Sequence, residues 1–223
     1  YADTAVKAVH QFFFHTAQTI EVFAFGAGTI GGTMIDQIRD QREKLLKENV
    51  DIKVLAITTI DGMILNEDGI ELSNWRDQMK KPDFPFGPQN VDDIIKFVKE
   101  KKPLNPVFVD CTASYDLPER YLDIINAGMS IATPNKRANS MDINFYHELR
   151  RTANKMNRRF LYETNVGAGL PIIDTLQNLY KSGDKLESFN GIMSGSLSYI
   201  FGKLDEGVKF SQAVKEAKEL RYT

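Results

Sequence analysis

The stretch Val22–Gly31 reads Val-Phe-Ala-Phe-Gly-Ala-Gly-Thr-Ile-Gly, an apolar, strand-like run that passes straight into Gly26-x-Gly28-x-x-Gly31. Each glycine has a separate job in such a turn. Gly26 permits the sharp exit from the strand. Gly28 lets the backbone come close to a pyrophosphate. Gly31 lets the following helix pack against the strand with its N-terminus aimed at the anion. The three glycines alone are a weak signal, because a plain strand-to-helix turn also uses them. The strand-like run before them and the helix-like run after them supply the context that dinucleotide binding requires.

Working outward, the first strand covers about 20–25, a helix runs from 28 to 48, and a second strand covers 52–58 before Asp61-Gly62 turns the chain. This spacing is that of a right-handed βαβ unit. Residues 62–90 are rich in Asp, Asn, Pro and Gly and read as an irregular excursion with at most short helices. An amphipathic helix over Val91–Lys101, a strand over Pro106–Asp110, a helix over Leu117–Ala127 and a strand over Met129–Thr133 follow. The alternation predicts an α/β fold with a Rossmann-type, doubly wound, mostly parallel sheet covered on both faces.

The pattern changes after Lys136. Helices are expected over Asp142–Asn157, Gly167–Ser182, Ser196–Lys203 and Ser211–Leu220, with strand-like runs at Phe160–Tyr162 and Leu186–Met193. Residues 3–15 read as a helix that Asp3 caps, with Val6, Val9, Phe12 and Phe13 on its apolar face. The expected organisation is a linker helix over 1–18, a dinucleotide-binding domain over 19–137, and part of a second, mixed α/β domain over 138–223.

A chain of 223 residues with 42% hydrophobic and 26% charged residues has the composition of a soluble globular protein. Its net charge of -2 gives no electrostatic case for nucleic acid or an anionic membrane. The sequence shows no secretory signal and no apolar run near the ~20 residues of a membrane span. The single cysteine, Cys111, excludes an internal disulfide and fits a reducing cytoplasm. His10, His15 and His147 form no metal-ligand pattern.

Several runs carry candidate chemistry. Thr58-Thr59 stand where a dinucleotide fold often has an acidic ribose ligand. Asp61 follows late, reads as a turn residue, and leaves NAD and NADP undecided. Asp110-Cys111-Thr112-Ala113-Ser114 follow the third strand, where hydroxyls can contact cofactor and Ser114 can cap a helix. Lys136, in Thr-Pro-Asn-Lys after the fourth strand, is either a solvated loop lysine or a cation facing the cleft. Glu163-Thr-Asn-Val-Gly-Ala-Gly-Leu-Pro171 is a tight turn, or a segment that offers backbone carbonyls to a hard cation. Ser194-Gly-Ser-Leu-Ser198 caps a helix or binds a small polar substrate. Cys111 has no histidine near it in sequence and reads as an inert thiol.

Taken together, VFAFGAGTIGG (22–32), NPVFVDCTAS (105–114), ATPNKRAN (132–139), YETNVGAGLPII (162–173) and GIMSGSLSYIFGKLDEG (191–207) resemble the homoserine dehydrogenases. The resemblance is to the dehydrogenase part of bifunctional aspartokinase/homoserine dehydrogenases. It implies NAD(P)-dependent hydride transfer between L-homoserine and L-aspartate 4-semialdehyde, on the route to threonine and methionine. It implies that Gly26, Ala27, Gly28, Thr29, Ile30, Gly31 and Thr112 hold NAD or NADP. Lys136 would stand between nicotinamide and substrate as a catalytic residue. Gly195, Ser196 and Tyr222 would contact substrate. The backbone oxygens of Glu163, Val166, Ala168 and Leu170 would bind a monovalent cation, sodium or potassium. A fused aspartokinase and a homo-oligomer are also implied.

The family pattern continues beyond Thr223 with a substrate-binding glutamate, aspartates and a second lysine, so the resemblance implies a C-terminally truncated sequence. The competing expectations are a fragment that binds NAD(P) without turnover and a different NAD(P)-linked amino-acid or semialdehyde dehydrogenase. An acylating semialdehyde dehydrogenase needs a catalytic cysteine, and Cys111 stands where a cofactor contact is expected.

Overall fold

The computed structural model describes residues 17–87, 89–220 and 222, together with Ala2, Ala5, Val6, Val9 and Phe13 of the N-terminal segment. Val6, Val9 and Phe13 are helical and exposed. The expected cap Asp3, the expected apolar Phe12, and His10 and His15 lie outside the described residues. The chain divides into two compact units, residues 1–162 and 163–223.

In the first unit, β1 (Gln18–Phe25) sends Val22 and Ala24 to one face of the sheet and Phe23 and Phe25 to the other, and all four are buried. The chain leaves through the glycine turn into α1 (Thr29–Lys47). Lys44 and Lys47 in its last turn suit the negative end of the helix, and Asn49, at φ 60°, ends it in the left-handed conformation. β2 (Val50–Thr59) lies parallel to β1 with one extra residue: Val22 pairs with Val54, but Phe23 pairs with Ala56. This bulge explains why consecutive Leu55 and Ala56 fall in the same hydrophobic cluster.

Ile60 and Asp61 then form a two-residue hairpin loop, and β3 (Gly62–Leu65) returns antiparallel to β2. The sequence reading expected only an irregular excursion here. Four residues are too few for alternation to register, yet Met63 and Ile64 are buried. Gly62 is obligatory at this turn, because its φ is 152° and a Cβ would collide with the Phe84 carbonyl oxygen.

The short α2 (Trp75–Gln78), α3 (Gln89–Lys101), β4 (Pro106–Asp110), a 3-10 turn at Leu117–Arg120 leading into α4 (Tyr121–Asn126), and β5 (Ser130–Ala132) follow. The unit closes with α5 (Arg137–Ser140), α6 (Ile143–Lys155) and β6 (Phe160–Leu161). The six strands are ordered β3-β2-β1-β4-β5-β6, and β3 alone is antiparallel.

Each face of the sheet has its own core. One contains Ile35 of α1 and Trp75 of α2 with Val22, Val54, Ile57 and Ile64. The other gathers Ile94 of α3, Tyr121 and Ile124 of α4, and Leu149 and Ala153 of α6 around Phe23, Phe108 and Ile131. The change of sequence pattern expected at 138 is therefore not where the unit ends. Ala138, Leu149 and Ala153 are buried in this second core, and β6 adds a parallel edge strand, so the unit runs to Tyr162.

The second unit holds a 3-10 turn at Glu163–Asn165, then α7 (Ile172–Lys181), α8 (Gly195–Asp205) and α9 (Phe210–Glu219). Its core is small: Ile200, Ala213 and Ala217 are buried, with Tyr199, Val208 and Val214 against them. The run Leu186–Met193, expected as strand-like, carries no regular secondary structure. A strand exists only through its ladder partner, and no described segment pairs with this one.

Candidate functional site

In an open parallel sheet the binding crevice lies beyond the carboxyl ends of the strands, where the strand order reverses. Here that point is between β1 and β4, and the glycine turn stands over it. The Thr58 carbonyl accepts the N–H groups of Gly26 (2.9 Å) and Ala27 (3.2 Å), and the Phe25 carbonyl accepts Cys111 N–H at 2.8 Å. Gly26 has φ +84°, and a Cβ there would lie 2.7 Å from Thr112 Cγ2. A Cβ on Gly31 would collide with the Gly26 carbonyl oxygen. These two glycines are required by the protein's own packing.

Gly28 is different. Its φ is -74°, and a Cβ there would meet nothing within 4 Å. Packing within the chain does not demand glycine at 28, so the free space above it suits a ligand that presses on the backbone. No side chain caps α1 at Gly28, and its first turn, with Thr29 and Ile30 exposed, carries no acidic residue. The positive end of the helix is thus left open for an anion. The residues present fit a dinucleotide pyrophosphate.

The loops after β4 and β5 are knotted together beneath this edge. Asp110 is fully buried. Its Oδ1 accepts Thr112 N (2.7 Å) and Thr112 Oγ1 (2.6 Å), and its Oδ2 accepts Tyr121 OH (2.6 Å) and Asn135 Nδ2 (3.1 Å). Burial pushes the carboxyl above its ordinary value, and these hydrogen bonds pull the other way. Burial, then the neighbouring Asp110 charge, pushes the Cys111 thiol up to about 11, so it stays protonated near neutrality. Burial likewise raises Tyr121. Ser114 Oγ accepts Asp116 N at 3.2 Å and Leu117 N at 3.1 Å, so it holds the loop ahead of the 3-10 turn, whose N-cap position is taken by Asp116 and not by Ser114. Asp61 N–H is held by Thr59 Oγ1 at 3.1 Å inside the hairpin loop, as its turn reading requires.

Lys136 is exposed at the start of α5, immediately after Asn135. Tyr115, 72% exposed, lies under the Arg137 guanidinium at 5.5 Å. The structure therefore brings Gly26–Gly31 and Thr112 together at one edge of the first unit. It hangs the loop bearing Lys136 from the same buried carboxylate. Asp110 and Asn135 stand in runs singled out from the sequence, but their joining through the buried Asp110 carboxylate, and the part of Tyr121 in it, are not read there. The available signal was a charged residue at the very end of an otherwise apolar strand.

In the second unit, Gly167 (φ 74°) and Ala168 (φ 52°) are consecutive left-handed residues in the Glu163–Leu170 run. The Gly167 carbonyl accepts Leu170 N (3.0 Å), and the Leu170 carbonyl accepts Ile172 N (2.9 Å). The Glu163 carboxylate accepts Ile173 N (2.9 Å) and Asp174 N (2.8 Å), fastening the start of α7, a role the sequence reading did not foresee. Ser194 Oγ caps α8 through Leu197 N at 3.2 Å, and a Cβ on Gly195 would meet nothing within 4 Å. Ser196 Oγ donates to the Tyr222 carbonyl, so these two candidate substrate residues meet. Among the described residues no group of three or more His, Cys, Asp or Glu side chains is placed to hold a metal ion, and no helix is long and apolar enough to cross a membrane.

Comparison with known proteins agrees with this arrangement. The family model described as homoserine dehydrogenase, NAD binding domain, matches residues 26–163, and the one described as homoserine dehydrogenase matches 171–223. The bifunctional aspartokinase/homoserine dehydrogenase of Haemophilus influenzae is 43% identical over 98% of this chain and 26% of its own length. That of Buchnera aphidicola is 45% identical over the same shares. The chain thus spans about a quarter of the length of these relatives. Among solved structures, a hyperthermophilic archaeal homoserine dehydrogenase in complex with NADPH superposes with a TM-score of 0.73 at 26% identity, over 92% of this chain and 62% of that one. With both units matched in order, the chain belongs to the homoserine dehydrogenase family.

Proposed function

We propose that this chain carries the NAD(P)-binding unit and a substrate-contacting part of an enzyme that interconverts L-homoserine and L-aspartate 4-semialdehyde. The observation that carries this reading is the turn at Gly28, where glycine answers no need of the protein's own packing, in a chain of this family. Gly26, Ala27, Gly28, Thr29, Ile30 and Gly31 would hold the pyrophosphate, and Thr112 would contact the cofactor. The nicotinamide dinucleotide, when bound, supplies the hydride acceptor or donor. Lys136 supplies a positive charge where alkoxide character develops on the substrate oxygen, and assists the proton at that oxygen.

Gly195, Ser196 and Tyr222 would contact substrate, a role supported by the bond between Ser196 and Tyr222. The carbonyls of Glu163, Val166, Ala168 and Leu170 would hold a sodium or potassium ion. The left-handed pair Gly167-Ala168 supports this, since it turns successive carbonyls out of a helical path. The bifunctional relatives support a fused aspartokinase, and we extend the proposal to a homo-oligomer. A cysteine-dependent semialdehyde dehydrogenase is disfavoured by a Cys111 thiol pushed up to about 11.

The test is Lys136→Ala in the full-length protein, assayed for homoserine oxidation. The expected result is a kcat lower by about 10²-fold or more, with dinucleotide Kd within about threefold of the parent. Near-normal turnover would overturn the assignment.

A further inference from the structure

We infer that Asp110 is the positioning residue of the cleft: its buried carboxylate fastens the loop after β4 to the loop after β5 and so sets where Lys136 stands. The inference rests on the dehydrogenase reading above, which gives that loop its task.

The four hydrogen bonds to Asp110 come from three separate segments: Thr112 after β4, Tyr121 at the start of α4, and Asn135 after β5. Four donors meet the acceptor sites of an ionised carboxylate, which has nothing to donate. A buried charge is tolerated only when so paired, and the arrangement is stiff for the same reason.

Asn135 transmits this rigidity. Its Nδ2 donates to the Ser114 carbonyl (3.0 Å) as well as to Asp110, and its Oδ1 accepts Arg137 N–H (3.0 Å). Its own N–H donates to Thr133 Oγ1 (2.9 Å), which in turn donates to the Asp110 carbonyl at 2.8 Å. The backbone is thereby pinned on both sides of Lys136, while the lysine side chain itself is exposed. Asp110 has no access to a bound substrate, because none of its surface is exposed. It therefore acts through the loops it joins. A misplacement of a catalytic group by about 1 Å is enough to cost a large factor in rate.

Two substitutions test this in the full-length protein. Tyr121→Phe removes one donor and leaves the ring that fills the core. Asp110→Asn keeps the shape but turns an amide donor towards existing donors. Each is assayed for homoserine oxidation alone and in a Lys136→Ala background. Tyr121→Phe is expected to lower kcat about five- to tenfold with homoserine KM within about twofold, and Asp110→Asn by at least as much. In the Lys136→Ala background the effect of either should shrink to less than about twofold, because the loop no longer carries the group it positions.

Should Asp110→Asn fail to fold, Tyr121→Phe carries the test alone. Equal loss in both backgrounds would mark a structural role and overturn the inference, as would parental kcat in Tyr121→Phe. A parent protein that oxidises no homoserine would remove the dehydrogenase reading, whereas normal turnover by Lys136→Ala would remove the role of that lysine and this inference with it. These failures are read on different proteins.

Discussion

The two units bury their apolar residues very differently. In the first, a six-stranded sheet has a closed core on each face, and Phe23, Ile35, Ile57, Ile94, Phe108 and Tyr121 are shut off from solvent. In the second, α7 has no buried residue, and Leu179, Phe189, Ile192 and Phe201 are all exposed. Both contain strongly amphipathic helices, so the contrast is not one of composition. A parallel sheet supplies apolar area on two faces at once. A helix must find a partner for its single stripe, and only α8 and α9 do so here, through Ile200, Ala213 and Ala217. For this chain taken alone, stability should therefore reside in the first unit.

The largest effects should come from setting the same substitution in both units. Gly31→Ala should destabilise the first unit by about 3 kcal/mol or prevent its folding, because the added Cβ meets the Gly26 carbonyl rather than a movable side chain. Gly195→Ala, also in the first turn of a helix but facing open space, should be neutral or slightly stabilising. Phe23→Ala should likewise cost about 3–5 kcal/mol, against less than about 0.5 kcal/mol for Ile192→Ala. Trp75 is the chain's one tryptophan and sits in the first unit, so its fluorescence follows that unit's unfolding while circular dichroism follows both. Comparable losses from both members of either pair would break the contrast.

A smaller effect separates folding from binding within the first unit. Gly28→Ala should leave the Trp75 unfolding midpoint within about 1 °C of the parent, because nothing in the chain meets the new methyl. Dinucleotide Kd, measured by titration, should rise about tenfold or more as that methyl holds the pyrophosphate away. A midpoint that falls with binding intact would make Gly28 a folding residue like Gly31.

Legibility in the sequence follows the same division. β1, α1, β2 and β4 were readable because long apolar runs and the glycine turn are local signals. β3 was not: it is four residues long, and its pairing follows from a two-residue hairpin and contact with Phe84. Leu186–Met193 has the composition of a strand, but composition cannot supply a ladder partner. At the site, Gly26, Gly28, Gly31 and Lys136 stood in recognisable runs. The Asp110 network was invisible because its members, Thr112, Tyr121 and Asn135, are joined only by the return of the chain through α4 and β5. Glu163 was read for its backbone oxygen, while its carboxylate fastens α7 ten residues on.

That carboxylate has a counterpart in the first unit, and the pair gives the finest test of the contrast. Asp36 of α1 accepts Arg76 Nη1 (2.8 Å), Arg76 Nη2 (2.6 Å) and Trp75 Nε1 (3.2 Å), tying α1 to α2. The Arg76 hydrogen bonds, chiefly, hold the Asp36 carboxyl down at about 2, against an ordinary value of 3.8. A carboxyl whose pKa is lowered by folding contributes stability above its unfolded value and loses it as pH falls through the folded one. The Asp36 contribution should thus be intact at pH 5 and fade between about pH 4 and pH 2. The pair is partly solvated, so the shift in midpoint should be the smallest of those predicted here. Asp36→Asn should lower the Trp75 unfolding midpoint slightly at pH 5, and the gap from the parent should close as the pH approaches 2. Glu163 faces backbone N–H groups and no cation in its cap, so Glu163→Gln should leave the Trp75 midpoint unmoved throughout. A gap at Asp36 that does not narrow in acid would mean that α1 and α2 are joined by packing of Trp75 rather than by charge.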